Sequence, residues 1–201
     1  MAAHPPIWLA STSAYRRELL QKLTGKFHYA APDTDETPLP GETAAALVQR
    51  LSLAKARSVA AGLTDGLVIG SDQVAVYQQQ IIGKPHTEQN AIAQLTQFSG
   101  QQITFLTGLA VVNVATGNAQ VITEPFIVHF RQLSGAEIQA YIKREQPLNC
   151  AGSFKSEGLG ISLFSKLEGN DPNALIGLPL IRLNQLLLNE GVNLLLQSDN
   201  L

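Results

Sequence analysis

The stretch LVIGSDQVAVYQQQIIGKP, residues 67–85, decides how the rest of the chain is read. Residues 67–77 are rich in β-branched side chains and read as a strand; a Gln-rich turn follows, and IIGKP at 81–85 reads as a short partner strand closed by proline. Alternation along the first strand sends Val68, Gly70, Asp72, Val74 and Val76 to one face, so a carboxylate stands in an otherwise apolar row. Burying an unpaired carboxylate is costly. An ionised Asp72 in that row needs a cation, a metal or catalytic work as compensation, and desolvation raises its basicity toward that required to take a proton from water. The plainer reading, a strand-end aspartate bonded to nearby amides, stays open at this point. Lys84 follows Gly83 at the end of the partner strand, near enough across the ladder to share a site with Asp72.

Outward from this hairpin, strands alternate with helices. Upstream, residues 7–10 read as a buried strand and 14–23 as a helix with Ser13 as N-cap and Leu19, Leu20 and Leu23 on one face. A second helix spans about 43–61 and stops at Gly62. Downstream, Thr87 caps a helix that ends before Gly100, and β-rich stretches at 103–114 and 120–131 meet at TGN, a hairpin signal. Ser134 and Glu137 form a capping box for a helix to about 144. After a glycine-rich, irregular 149–162, the run NALIGLPLIRLNQLLLNEG is expected to form one C-terminal helix. Hairpins mixed with crossover helices indicate an α/β fold on a mixed sheet, and the lack of repeats or a linker-like tract indicates one domain over 1–201.

Composition narrows the function classes. With 45% hydrophobic and 15% charged residues, 201 residues suffice for a full core. A net charge of −2 argues against nucleic-acid binding, which relies on a basic surface to displace counterions. The single Cys150 excludes an internal disulfide framework, and His4, His28, His86 and His129 have no metal-ligand spacing with it or each other. The opening MAAHPPIWLA lacks the charged and apolar regions of a leader, and no stretch approaches the ~20 apolar residues of a membrane span. A cytoplasmic location with no membrane partner is expected.

Three more polar features gather near predicted strand–helix junctions. In LASTSAYRRELL, residues 9–20, the helix start offers unpaired N–H groups, a natural seat for an anion, to which Ser11, Ser13 and an arginine would add donors. Arg16 precedes Leu19, Leu20 and Leu23 by helical steps and so lies inward, while Arg17 should face solvent. Simple capping with an ordinary ion pair is the alternative for this turn. Lys55 follows Val48 and Leu51 at helical spacing, so its ammonium rises from a buried face; a stem that snorkels along the helix flank is the bland reading. The loop PDTDETP, 32–38, carries Asp33, Asp35 and Glu36, and with Asp72 could supply the carboxylates of a Mg²⁺ site completed by substrate phosphates. No G-x-x-x-x-G-K-[ST] or G-x-G-x-x-G is present, so a polyphosphate would not be held by a P-loop or a Rossmann turn.

ASTSAYRRELL, the DE of TDET, LAKA around Lys55, GSDQV, GKP, CAGSFKSEG and IGLPL run in the order and approximate spacing of Maf-like nucleotide pyrophosphatases, over about residues 7–190. SDQV and GSFKSEG resemble the branch of that family acting on 7-methyl-GTP, as opposed to the one acting on dTTP and UTP. The resemblance implies an elongated α/β fold with a curved mixed sheet and a deep cleft, shared with inosine triphosphate pyrophosphatases. It also implies a divalent cation, Mg²⁺ or Mn²⁺, hydrolysis between the α and β phosphates, and a homodimer. By the same resemblance Asp72 is the catalytic acid, with Ser11, Arg16, Glu36, Lys55 and Lys84 as the polar set around it. Glu36 and Asp72 are then the metal-side carboxylates, and Tyr15, Gln73 and Glu157 fall where the branches differ in base selectivity. Ala14 departs from the family's S-x-S-P opening, which should loosen the turn slightly without removing a phosphate ligand.

On this reading the aromatic face of Tyr15 would attract the positively charged 7-methylguanine ring, worth roughly 0.5–2 kcal/mol. The Glu157 carboxylate would accept from the guanine N1–H and exocyclic amine. A nucleotide-sensing regulator of septum formation, with slow or incidental hydrolysis, is the rival function and would use the same pocket.

Overall fold

The computed structural model describes residues 5–196. In chain order the elements are β1 (Ile7–Ala10), α1 (Ala14–Gln21), β2 (His28–Ala30), α2 (Ala44–Ala60), β3 (Leu67–Tyr77) and β4 (Gln80–Ile82). They continue with α3 (Glu88–Phe98), β5 (Gln102–Asn113), β6 (Ala119–Phe130), α4 (Gly135–Glu145), β7 (Phe164–Gly169), α5 (Pro172–Ile176) and α6 (Leu180–Asn189). Among the described residues the seven strands join one mixed sheet in the order β2-β1-β3-β5-β6-β7, with β4 paired to β3 off that path. The α/β expectation therefore holds.

Strand β3 organises this sheet. Along one edge it pairs antiparallel with β5 from Leu67 through Val76. Along the other edge it pairs parallel with β1 only at Leu67–Ile69, and antiparallel with β4 only from Ala75 onward. Between these two partners, residues 70–74 have no strand beside them, because β1 ends at Ala10 and the chain turns away at Ser11 into α1. The sheet thus opens a notch in its own edge, and Asp72 and Gln73 sit in it.

Helix α2 covers the face on which Asp72 lies. Its N-cap, Thr43, accepts from the Ala46 N–H, and its inward side carries Leu47, Val48, Leu51, Ser52, Lys55, Ala56 and Val59. Two glycines let it sink onto the sheet. A Cβ at Gly70 would lie 2.1 Å from the Ser52 carbonyl oxygen, and one at Gly108, the partner of Asp72 across the ladder, 2.1 Å from that of Val48. Any side chain there would push the helix outward and carry Lys55 with it.

The opposite face is covered by two apolar clusters. One joins Ile7, Leu9, Leu67, Ile69, Leu109 and Val111 to Leu19 and Leu20 of α1 and to Leu183, Leu186 and Leu187 of α6. Each such leucine, fully buried, contributes about 1.5–3 kcal/mol. The other is aromatic, with Phe98, Phe105, Phe126, Phe130 and Phe154 packed with α3 and α4. Between them runs a polar band of Ser71, Gln73 and Thr107, bridged by α5.

Two strands escape the sequence reading: β2, three residues long, and β7, whose side chains are mostly exposed. The single C-terminal helix expected over 173–191 is corrected to α5 and α6. Gly177 ends α5 in a left-handed conformation (φ 119°), and Pro179 precedes the start of α6, the glycine-stop and proline pattern of a helix end. The remaining caps, Ser13, Thr87 and the Ser134–Glu137 box, form as expected.

Candidate active site

Two chambers meet at the notch in β3. One, of about 530 Å³, lies on the α2 side and is lined by Ser11, Arg16, Glu36, Lys55, Asp72 and Lys84, with Leu47 and Leu51 on its apolar wall. The other, of about 210 Å³, lies on the α5 side and is lined by Tyr15, Gln73, Phe105, Cys150, Phe154 and Glu157. Ser13, Arg16, Gln73, Lys84 and Ala151 border both. Asp72 and Gln73 are neighbours in the chain, yet alternation points them to opposite faces of the sheet, so Asp72 lines the larger chamber only while Gln73 stands at the border and lines the smaller one as well.

The larger chamber is built on charge. Lys55 Nζ donates to Asp72 Oδ1 at 2.6 Å and lies 2.7 Å from Glu36 Oε1. The lysine and the aspartate are 6% and 8% exposed, so the inward geometry expected of both is what the structure has. Among the described residues no donor reaches Asp72 Oδ2, and that oxygen is not sealed from solvent. It is a free acceptor in the chamber. Burial pushes the Glu36 carboxyl up, but the hydrogen bond and charge of Lys55, with Lys84 and Arg16 farther off, outweigh it and hold the group below its usual range.

Arg16 is inward as its spacing predicts, and it is held from behind. Its Nε donates to the Gly177 carbonyl at 2.9 Å, and among the described residues its two terminal nitrogens have no hydrogen-bond partner, while the side chain borders both chambers. Burial lowers its pKa, opposed by the negative charges of Asp72 and Glu36. Ser71 Oγ shares its proton between the Gly108 and Gly177 carbonyls, both at 2.8 Å, tying the same Gly177 corner to the sheet. Arg17 faces outward as expected, half-buried where it stacks over the exposed Tyr29 ring at 4.5 Å. In the opening turn Ser11 Oγ accepts from the Ser13 N–H at 3.1 Å, and Ser13 Oγ caps α1 through the Arg16 N–H.

Lys84 lines both chambers with Asp72 close by, but from a different position than expected. The ladder ends at Ile82, so Lys84 projects from the exposed loop after β4 and is not paired across strands. Glu36 comes from the loop ahead of α2. That loop is stapled by Arg50, which donates to the Thr37 carbonyl and to Glu42, while Glu42 accepts from the Leu39 N–H.

The smaller chamber brings Tyr15, Gln73 and Glu157 together. Tyr15 is 38% exposed on the first turn of α1. Burial and the nearby Cys150 and Glu157 raise its hydroxyl pKa, so it stays neutral and offers an uncharged ring. Glu157 sits on the irregular segment after α4, which is anchored where the Tyr141 hydroxyl accepts from the Lys155 N–H and where Lys155 Nζ donates to the Glu145 carbonyl. Cys150 lines this chamber as well.

The donor set also bears on a metal. Among the described residues no three His, Cys, Asp or Glu side chains cluster closely enough to hold an ion by themselves. Glu36 and Asp72 converge on one ammonium and Asp72 keeps a free oxygen, which fits Mg²⁺ as it usually binds, through one or two carboxylates with waters and substrate phosphates completing the shell. The residues present fit such an ion only together with a phosphate ligand.

The sequence profile of the family described as Maf-like protein matches residues 6–190. Among curated proteins, a 7-methyl-GTP pyrophosphatase from Pseudoalteromonas translucida (strain TAC 125) is 54% identical over 195 residues, covering 97% of this chain and 96% of the relative. One of the same name from Colwellia psychrerythraea (strain 34H / ATCC BAA-681) is 53% identical over 193 residues, covering 96% of each. Among solved structures the Staphylococcus aureus Ham1 protein superposes with a TM-score of 0.51 at 14% identity, over 93% of this chain and 100% of that one, a likeness of fold alone.

Proposed function

The chain belongs to the Maf-like protein family, and on that premise we propose that it is a nucleoside triphosphate pyrophosphatase that splits 7-methyl-GTP into 7-methyl-GMP and diphosphate. Two relatives above 50% identity over nearly the whole chain carry that activity in their names. The observation that carries the reading is the pair of chambers joined at one strand edge. The cationic one suits a triphosphate; the one with an aromatic face and an exposed carboxylate suits a positively charged purine.

In this reading the base lies against Tyr15 with Glu157 accepting from its N1–H and amino group, and the phosphates pass the notch into the larger chamber. Arg16, Lys55 and Lys84 neutralise the chain of phosphates and the departing diphosphate, with Ser11 and the start of α1 adding donors. A water attacks the α phosphorus in line, the bond from that phosphorus to the bridging oxygen breaks, and Asp72 Oδ2 takes the proton of the water. A Mg²⁺ or Mn²⁺ ion held by Asp72 and Glu36 with the substrate would supply charge neutralisation at the reacting phosphates. Lys55 orients the Asp72 carboxylate, since the buried pair shares a short charge-assisted bond.

The test is a panel of 7-methyl-GTP, GTP, dTTP and UTP, each with Mg²⁺, Mn²⁺ or a chelator, scored for diphosphate. Metal-dependent multiple turnover with 7-methyl-GTP preferred is the expected result. Tight binding without turnover would instead favour a nucleotide-sensing regulator.

A further inference from the structure

The polar band beneath α5 contains a residue that the reaction described above does not use. On β5, Ile103, Phe105, Leu109 and Val111 point into the core, and Thr107 interrupts their row, fully buried. Its hydroxyl donates to the Ala174 carbonyl at 2.9 Å. With its one proton committed, Thr107 Oγ1 is available to Gln73 only as an acceptor, and it lies 3.0 Å from Gln73 Nε2. The carbonyls of Ala174 and Leu175, at the C-terminal end of α5, lie 2.7 and 3.1 Å from the same nitrogen. Three acceptors surround one end of the Gln73 amide.

We propose that Thr107 is a specificity-positioning residue: together with the carbonyl end of α5 it locks the Gln73 amide so that only its oxygen faces the nucleotide. The proposal rests on the reading of the smaller chamber as the base site. An amide turned the other way would set its oxygen against two carbonyls and a hydroxyl with no proton to offer, so the orientation is fixed by the acceptors around it. Among the described residues Gln73 Oε1 receives no hydrogen bond, and it is not sealed from solvent. A glutamine normally presents a donor and an acceptor and so suits many base edges. Here the lock removes the donor. With Glu157 in the same chamber, the two side chains assigned to the base edge offer acceptors alone, which match the adjacent N1–H and amino donors of a guanine and oppose the two carbonyl oxygens of uracil. Selectivity for the purine would then depend on a buried strand residue that touches no ligand.

The experiment compares wild type, Thr107→Val and Thr107→Ser for kcat/KM on 7-methyl-GTP and on UTP, alongside NMR of the Gln73 side-chain amide in the free protein. Valine keeps the shape and removes the hydroxyl, and Ala174 retains Gln73 as its donor. Thr107→Val is expected to lower the 7-methyl-GTP to UTP ratio about tenfold, mainly through KM for 7-methyl-GTP, and Thr107→Ser to restore it. The NMR arm needs no substrate: the Gln73 amide protons should show contacts to Thr107 and Ala174 and slow exchange, both weakened in Thr107→Val. An unchanged ratio in a folded Thr107→Val, or amide protons in wild type that exchange freely, overturns the proposal. Failure of wild type to hydrolyse 7-methyl-GTP strikes the substrate reading instead, and the NMR result then decides the lock. Should the valine variant not fold, Thr107→Ala removes the same hydroxyl and is read in the same way.

Discussion

The two chambers are built by different means. The larger takes its charged groups chiefly from regular elements: Lys55 from the buried face of α2, Asp72 from β3 and Arg16 from the first turns of α1, with each orientation set by helical or strand period. The smaller draws Cys150 and Glu157 from an irregular segment held in place by side-chain bonds from α4, and its Gln73 is oriented by the end of a helix five residues long. Chemistry that must not move is mounted on the rigid frame, and recognition of the base on the part that can change without disturbing it. Variants of the two chambers should therefore fail in different ways.

The largest difference is expected from Asp72→Asn. Lys55 keeps Glu36 as a partner at 2.7 Å, so the buried ammonium is not stranded and the fold should persist. Turnover of 7-methyl-GTP should fall by at least ~10²-fold with little change in KM. Melting temperature and steady-state kinetics together check this, and near-normal turnover would reduce the larger chamber to a binding site. Glu157→Gln should act on the other side of the comparison. It exchanges one acceptor for a donor, so the preference for 7-methyl-GTP over UTP should drop by roughly 5- to 20-fold while kcat on the poorer substrate holds, in keeping with the loss of a hydrogen bond to a charged group. Equal losses on both nucleotides would mean that Glu157 supports the loop and does not read the base.

The smallest effect concerns the loop that brings Glu36 to the larger chamber. Hydrogen bonds from Arg50 and from the Leu39 N–H hold the Glu42 carboxyl at about 2, against an ordinary 4.5. A depressed folded value means stability that is fully present above the ordinary pKa and is lost as pH falls from there through about 2. Thermal melts of wild type and Glu42→Gln should therefore differ by a constant amount above about pH 5 and converge toward pH 2. A gap that persists at pH 2 would assign the loss to packing.

The same contrast explains what was legible in the sequence. Asp72 stood out because alternation made it the one charge in an apolar row, and Lys55 and Arg16 because helical spacing placed them among leucines. Thr107 carried the same kind of signal, a hydroxyl between Phe105 and Leu109, yet a threonine in a strand is ordinary and drew no weight. The break between α5 and α6 was written in Gly177 and Pro179, but the flanking leucines continue a helical pattern across it. What that break does, turning a carbonyl onto Arg16, depends on contact between positions 161 residues apart, which no local pattern encodes. Residues 149–157 have no period at all. Only resemblance pointed to Glu157, and nothing pointed to Cys150.

The placement of Asp72 and Gln73 on opposite faces of one strand carries a consequence for how this protein can vary. Inserting or deleting a single residue upstream within β3 would invert both side chains at once, sending the acid toward the base and the amide toward the phosphates. Surface loops elsewhere can lengthen or shorten, but this strand has a fixed reading frame, and its count of residues is as much a part of the active site as their identities.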